Sequence, residues 1–291
     1  MNGALLRLFH AIEPGSRFWV DAVRAQGPEE VLERILNGDF ETQRSVSRIR
    51  ANLEARDEAS LRSEIESCGA RFVSQGDIEW PHPLDDLIAP PLGLVIRGKS
   101  INCESVSIVG TRNPTTYGAR VASEFAAGFA DRDFDVISGG AYGIDTHAHR
   151  GALAAEGRTF AVLASGVDTL YPKGNESLFH EILENGGLIS EVMPLERARP
   201  ERFLTRNRLI AALSRSTIVV EAAFRSGSLR TAREAAEIMR TVLAIPGPIT
   251  SPTSDGCHRL IGERCAEIVT SVADAMELIP SDSCTLCRDG S

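Results

Sequence analysis

Two stretches decide how this chain folds: Val106-Ser107-Ile108-Val109-Gly110-Thr111-Arg112 and Val136-Ile137-Ser138-Gly139-Gly140-Ala141-Tyr142-Gly143-Ile144-Asp145. A helical run separates them. Each is a short apolar segment that ends in glycine just before helix-start residues. A parallel α/β sheet delivers backbone N–H groups to an anion in this way, at the carboxyl ends of its strands. Two such loops on neighbouring strands share one crevice.

Working outward, short apolar runs alternate with helical periodicity from Glu104 onward. Strands are predicted at 106–109, 135–138, 159–164, 187–190, 217–221, 241–245 and 267–270. Helices are predicted at about 116–130, 145–156, 175–185, 202–214, 229–239, 256–263 and 272–279. Val121, Phe125 and Phe129, four apart, form the sheet-facing stripe of the first of these helices. The alternation specifies an α/β fold: a mostly parallel sheet with helices on both faces and right-handed crossovers. Residues 1–66 read as a small helical domain, with Leu5, Leu8, Phe9 and Ile12 on one face and a break at Pro14-Gly15. Residues 67–103 form a connector with strands near Arg71–Ser74 and Leu94–Ile96, 104–279 form the core domain, and 280–291 form a mobile tail. Trp80 reads as a packing residue.

The formal charge is −9, from 31 basic and 40 acidic residues, which by itself argues against a polyanionic partner. The distribution softens that argument. Six arginines (197, 199, 202, 206, 208, 215) lie between Arg197 and Arg215 against Glu201 alone. A local basic stripe acts on its own, because charges beyond about 8–10 Å are screened at physiological salt. No apolar run approaches the roughly 18 residues that cross a membrane, and no secretory signal is visible at the N-terminus, so a cytoplasmic protein is expected. Six cysteines (68, 103, 257, 265, 284, 287) are too scattered for a disulfide framework. Cys284 and Cys287 form a CxxC that could join Cys257 and Cys265 on zinc, but the wide 257–265 gap favours free thiols and no metal.

The candidate contacts lie on the loops at the strand ends. Gly110, Thr111 and Arg112 bring a close-approach glycine and a two-pronged cation to a phosphate. The positions after Gly110 are not a dinucleotide fingerprint and no Gly-Lys-Ser/Thr loop follows, so no nucleotide cofactor is expected. Ser138, Gly139 and Gly140 open the second loop, with Asp145 placed as a helix N-cap. His147 and His149, two apart, face different ways and make a poor metal pair. Lys173, in Asp168-Thr169-Leu170-Tyr171-Pro172-Lys173-Gly174-Asn175, projects from the third strand's carboxyl end. Arg206, Asn207 and Arg208 open a helix whose core face is Leu209, Ile210 and Leu213, so both arginines cannot face the core. Ser226, Gly227 and Ser228 form another helix-start turn that suits an anion. Glu191 and Glu221, at strand ends, are conceivable general bases, but nothing selects a substrate bond and no catalytic constellation stands out.

Taken in order, Gly110-Thr111-Arg112, Tyr117-Gly118, Ser138-Gly139-Gly140-Ala141-x-Gly143-Ile144-Asp145, Ala148-His149, Tyr171-Pro172, Asn175, Ser190-Glu191, Arg206-Asn207-Arg208, Val220-Glu221-Ala222, Ser226-Gly227-Ser228-Leu229, Thr231-Ala232 and Pro246-Gly247 closely resemble the DNA-processing protein A family (DprA, also called Smf). The likeness spans about 104 to 265 and is looser through the N-terminal helices. It implies an extended Rossmann-like core preceded by a small helical domain of SAM or helix-hairpin-helix type. It further implies a non-enzymatic protein that binds and protects single-stranded DNA and helps load the RecA recombinase during DNA uptake (natural transformation) or recombination. Residue by residue, it implies a DNA pocket of Gly110, Arg112, Ser138, Gly139, Lys173, Arg206 and Asn207, and a homodimer through the C-terminal edge of the core.

Three departures stand out. The family's C-terminal winged-helix module is not expected, since the chain ends soon after Ile279. Gly262-Glu263-Arg264-Cys265-Ala266 replaces the family's Gly-Ala, which puts the dimer in doubt. Arg230 stands where aliphatic residues are usual. The competing readings are an enzyme and a nucleotide sensor, because Ser226 to Glu234 is similar to the helix start of nucleoside-monophosphate phosphoribohydrolases.

Overall fold

The computed structural model describes residues 2–40, 45–101 and 104–280. Cys103 and the Cys284–Cys287 pair lie outside the described residues. Five short helices come first: α1 (Gly3–Ala11), α2 (Arg17–Gln26), α3 (Pro28–Asn37), α4 (Val46–Ala55) and α5 (Glu58–Ser67). Local chemistry sets their ends. Asn2 accepts from Leu5 N and Asp57 from Ser60 N, which satisfies amide donors left over at each helix start. Gly27, at φ 87°, ends α2, and Pro28 opens α3 with its φ already helical. The amphipathic faces close on Leu8, Trp19, Val31, Ile35 and Leu53.

The sheet is built from β1 (Ala70–Val73), β2 (Leu94–Gly98), β3 (Ser105–Val109), β4 (Asp135–Ser138), β5 (Thr159–Leu163), β6 (Gly187–Ser190), β7 (Ser216–Val219), β8 (Thr241–Ala244) and β9 (Glu267–Ile268). Their spatial order is β1-β2-β6-β5-β4-β3-β7-β8-β9. The seven strands from β6 to β9 along that order run parallel, while β1 and β2 are antiparallel additions at one edge. Helices α6 (Thr116–Ala130), α7 (Ile144–Ala154), α8 (Glu176–Asn185), α9 (Pro200–Ala212), α10 (Gly227–Glu237) and α11 (Asp255–Gly262) make the crossovers, and α12 (Val272–Leu278) follows the last strand. The α/β architecture and its mostly parallel sheet are those read from the sequence.

Both faces of the sheet are covered, which is why its central strands read as continuous apolar runs instead of alternating. On one face α6, α7 and α12 bury Phe125, Phe129, Ala148 and Ala275 against Val106, Ile108, Val136 and Ile218. On the other, α9, α10 and α11 bury Leu209, Leu229 and Leu260 against Val109, Ile137 and Val219. A third cluster joins Leu6 and Phe9 of α1 and Leu61 and Ile65 of α5 to Phe72, Val95, Phe179 and Leu188. The N-terminal helices therefore share a core with the β1–β2 edge. Trp80 is buried, as its reading predicted, and donates Nε1–H to Asp85.

The order in which strands are added has its switch point between β3 and β7: β3 leads to β4 on one side, and β7 leads to β8 on the other. Loops therefore diverge above the carboxyl ends of β3 and β7, where open α/β sheets bind their ligands. Phe129 anchors this frame, fully buried, with its ring 5.7 Å from Phe134 and 6.5 Å from Phe125. Phe129→Ala is expected to lower stability by about 3–5 kcal/mol, read as a lower urea midpoint at unchanged slope.

Candidate nucleic-acid interface

The loop after β4 is braced by a carboxyl group of its own helix. Gly139 N and Ala141 N both donate to Asp145 Oδ2, at 3.2 and 3.3 Å. Asp145 is not the N-cap that the sequence suggested; Gly143 holds that position, at φ 84°, and Asp145 sits in the first turn of α7. An outward-facing anion cradle is thus filled by the chain's own carboxyl group. Burial pushes the Asp145 carboxyl up, while the Arg206 charge and the loop's N–H groups pull it back toward the ionised form. Ser138 is fully buried and donates to Ile108 O at 2.6 Å. A Cβ on Gly139 would strike the Arg206 guanidinium, and one on Gly140 would strike Phe179. Ser138, Gly139 and Gly140 therefore support the loop from within.

Arg206 completes that arrangement. Its Nη1 donates to Gly139 O at 2.8 Å and to Val162 O. Burial pushes the guanidinium down to about 10, with Asp145 raising it and Arg112 lowering it, so it stays charged at neutral pH. Arg208 donates to both Glu191 oxygens, each at 2.5 Å, with 12% and 8% of the two side chains exposed. The sequence reading that Arg206 and Arg208 cannot both point inward is corrected here: one reaches the sheet end and the other a buried carboxylate. Glu191, a conceivable base in the sequence, is the counter-ion of Arg208. Asn207 Nδ2 donates to Gly227 O, tying α9 to the start of α10.

Most of the basic stripe is paired with glutamates, Glu196 close by in sequence and Glu13 and Glu104 far from it. Arg199 and Arg202 pair with Glu13 and Glu196, and Arg215 pairs with Glu104. Glu221 is committed as well, accepting from Thr115 N, Thr115 Oγ1 and Thr253 Oγ1. Its carbonyl accepts from Thr111 N at 2.6 Å. These bonds bolt the β7 loop to the β3 loop. A Cβ on Gly110 would meet Ile144 and Glu221 O, so this glycine serves close packing. At the third turn Ser226 caps α10 by accepting from Ser228 N, and Gly227 stands open. Arg230 points to solvent and pairs with Glu234.

What remains outward is a ledge of cations and rings. Arg112 and Lys173 are exposed and have no carboxylate partner among the described residues. Arg112 lies 5.6 Å from the Phe203 ring centroid, and Phe203 meets Tyr171 edge-on at 5.7 Å. Tyr142 Oη accepts from Gly174 N, beside Lys173. Tyr142 and Tyr171 are about half exposed, at 49% and 50%. Loops from β3, β4 and β5 and the first turn of α9 thus converge on one surface. Sequence reasoning missed Tyr142, Tyr171 and Phe203, although two of them flank residues it singled out. Of three tyrosines in the chain, two lie in strand-end loops, and that was the available signal.

No group of three or more His, Cys, Asp or Glu is placed to hold a metal ion among the described residues. Cys257 is buried, with its thiol pushed up to about 12 by burial. No described helix is long and apolar enough to cross a membrane.

Comparison with known proteins places this geometry. The family model for DNA recombination-mediator protein A matches residues 71–280. The chain belongs to this family. A DNA processing protein DprA of Mycobacterium tuberculosis, itself named as putative, is 40% identical over 94% of this chain and 73% of its own length. The DprA of Streptococcus pneumoniae is 38% identical over 76% of this chain and 77% of its own length. The solved S. pneumoniae DprA structure superposes with a TM-score of 0.82 at 31% identity, covering 95% of this chain and 97% of that one. A Helicobacter pylori DprA structure, described for its single-stranded DNA binding mode, superposes with a TM-score of 0.64 at 29% identity, covering 71% of this chain and 94% of that one.

Two expectations follow from the site's construction. Arg206→Ala leaves a buried carboxylate without its compensating charge and is expected to cost about 3–5 kcal/mol, whereas Arg112→Ala stays within about 0.5 kcal/mol; urea unfolding of both separates scaffold from surface. The second concerns pH. His149 is fully buried, its Nδ1 2.7 Å from Thr159 Oγ1, and burial pushes it from 6.5 down to about 3. The unfolded chain then takes up a proton that the folded chain refuses. The neutral imidazole's stability is complete above pH 6.5 and is lost as pH falls, at up to about 1.4 kcal/mol per unit. His10 and His147 shift the same way, so the check is a comparison of pH 6.5 with pH 5 in wild type and His149→Gln. The variant should show the smaller loss.

Proposed function

We propose that the ledge at the carboxyl edge binds single-stranded DNA, and that the protein protects the strand and passes it to the RecA recombinase during DNA uptake or recombination. The observation that carries this reading is the pairing of two unneutralised cations, Arg112 and Lys173, with the exposed rings of Tyr142 and Tyr171 and the partly buried ring of Phe203 that meets both Arg112 and Tyr171. Cations take phosphates, and rings take unstacked bases, which a duplex does not offer. The family's role as a recombination mediator and the single-stranded DNA bound by the H. pylori relative support it.

In this reading residues 104–279 are the DNA-binding domain in a cytoplasmic protein, and 1–66 are a helical accessory domain. Two copies pair through the β9 edge, where Ile268 is 53% exposed. A strand edge with an exposed apolar residue is a ready surface for a second chain. Glu191 and Glu221 are both engaged in holding loops, so nothing observed favours the nucleotide-hydrolase reading.

Fluorescence anisotropy with a labelled oligothymidine tests the proposal. Wild type should bind the single strand more tightly than its duplex, weakening as salt rises. Arg112→Ala and Lys173→Ala should each lose about tenfold and flatten the log-affinity against log-salt slope by about 0.7, one phosphate's share on a single strand. Equal affinity for duplex, or variants that bind as wild type does, would overturn it.

A further inference from the structure

Beyond the ledge, the loop after β7 carries another exposed ring. Phe224 is 53% exposed, and the Arg259 guanidinium of α11 lies over it at 4.4 Å from the ring centroid. This loop is held in place. Thr111 N donates to Glu221 O, Ala222 N to Thr253 O, and Gly256 N to Ala222 O, fixing it to the β3 loop on one side and to α11 on the other. A Cβ on Gly256 would strike Ala222, so α11 packs directly against the base of the loop.

The surroundings are basic. From Ala222 to Arg230 the chain has two arginines and no carboxylate. Arg230, Arg233 and Arg259 share Glu234 and Glu263, and exposed Arg225 has no carboxylate partner among the described residues. A half-exposed phenylalanine has no use for an arginine cover in ordinary core packing. Stacking of ring, base and guanidinium is, by contrast, a favourable arrangement for an unpaired nucleotide.

Position along the sheet links this ring to the ledge. The loops after β5, β4, β3 and β7 are consecutive along the carboxyl edge. In that order they carry Tyr171 with Lys173, Tyr142, Arg112 and Phe224. Three strand spacings, about 14 Å, separate the first loop from the last.

We infer that Phe224, with Arg225 and Arg259, forms a second base-stacking subsite for single-stranded DNA, on the far side of the switch point from Lys173. A strand long enough to leave the ledge crosses the β3 loop at Arg112 and places a later base on Phe224. This inference rests on the ledge being the first subsite. It sets the length of strand that one copy of the chain engages and requires no base-specific contact.

Two oligothymidines, of about four and about twelve nucleotides, separate the subsites by anisotropy. Phe224→Ala should weaken the longer strand at least about fivefold, leave the shorter strand unchanged, and be restored by Phe224→Trp. Arg112→Ala should weaken both. The subsite is overturned if Phe224→Ala leaves the longer strand within twofold of wild type, or weakens both lengths equally, the mark of a general disturbance. If Arg112→Ala instead leaves the short strand unaffected while Phe224→Ala still acts, the ledge reading fails separately. No binding of either strand by wild type overturns both.

Discussion

Arg206 reaches from the first half of α9 to the end of β4, where it donates to Gly139 O and offsets the buried Asp145 carboxyl group. Asp145 in turn gathers the N–H groups of Gly139 and Ala141. Remove the guanidinium and a carboxyl group is stranded in the protein interior; remove the carboxyl group and one buried and one partly buried donor lose their acceptor. The outer loops are registered on this internal pair. Gly143 lies against the Thr111 and Arg112 backbone, and Ile144 N donates to Thr111 O, so the β4 loop positions the β3 loop that carries Arg112. Arg112 is thus held outward by a loop that the inward pair fixes in place.

The same helix is held from its other side by the N-terminal helices. Glu13 accepts from Arg202 and Arg199 and also meets Arg48 of α4. A Cβ on Gly15 would strike Thr205, and Gly15 hydrogen-bonds the Glu191 carboxylate that Arg208 holds. Helix α9, which carries Phe203 in its first turn, is thus pinned by charges on three successive turns. Most of these pairs are partly exposed and each contributes little alone. The buried Arg208–Glu191 pair matters through what its loss would leave unpaired.

The architecture was legible because sheet periodicity and glycine punctuation are local properties. The strands near 106–109 and 135–138, the Val121–Phe125–Phe129 stripe and the helical N-terminus all follow from spacing. The candidate site was legible only in outline. Arg112 and Lys173 stand exposed, but Arg206 and Arg208 looked equally available, because the Gly139 and Glu191 groups that take them lie 67 and 17 residues away in sequence. Charge neutralisation by distant partners has no local signature. Nor does Asp145 turning back into its own loop, which from sequence is indistinguishable from an N-cap. Tyr142 and Tyr171 were overlooked for the opposite reason: a ring's exposure depends on which neighbours fail to cover it.

A structure of the protein with a bound oligothymidine tests this division of labour most directly. The account predicts phosphates against Arg112 and Lys173, bases on the exposed rings, and Asp145 still accepting from Gly139 N and Ala141 N beneath them. A phosphate seated on those two N–H groups, with Asp145 displaced and Arg206 turned outward, would contradict it.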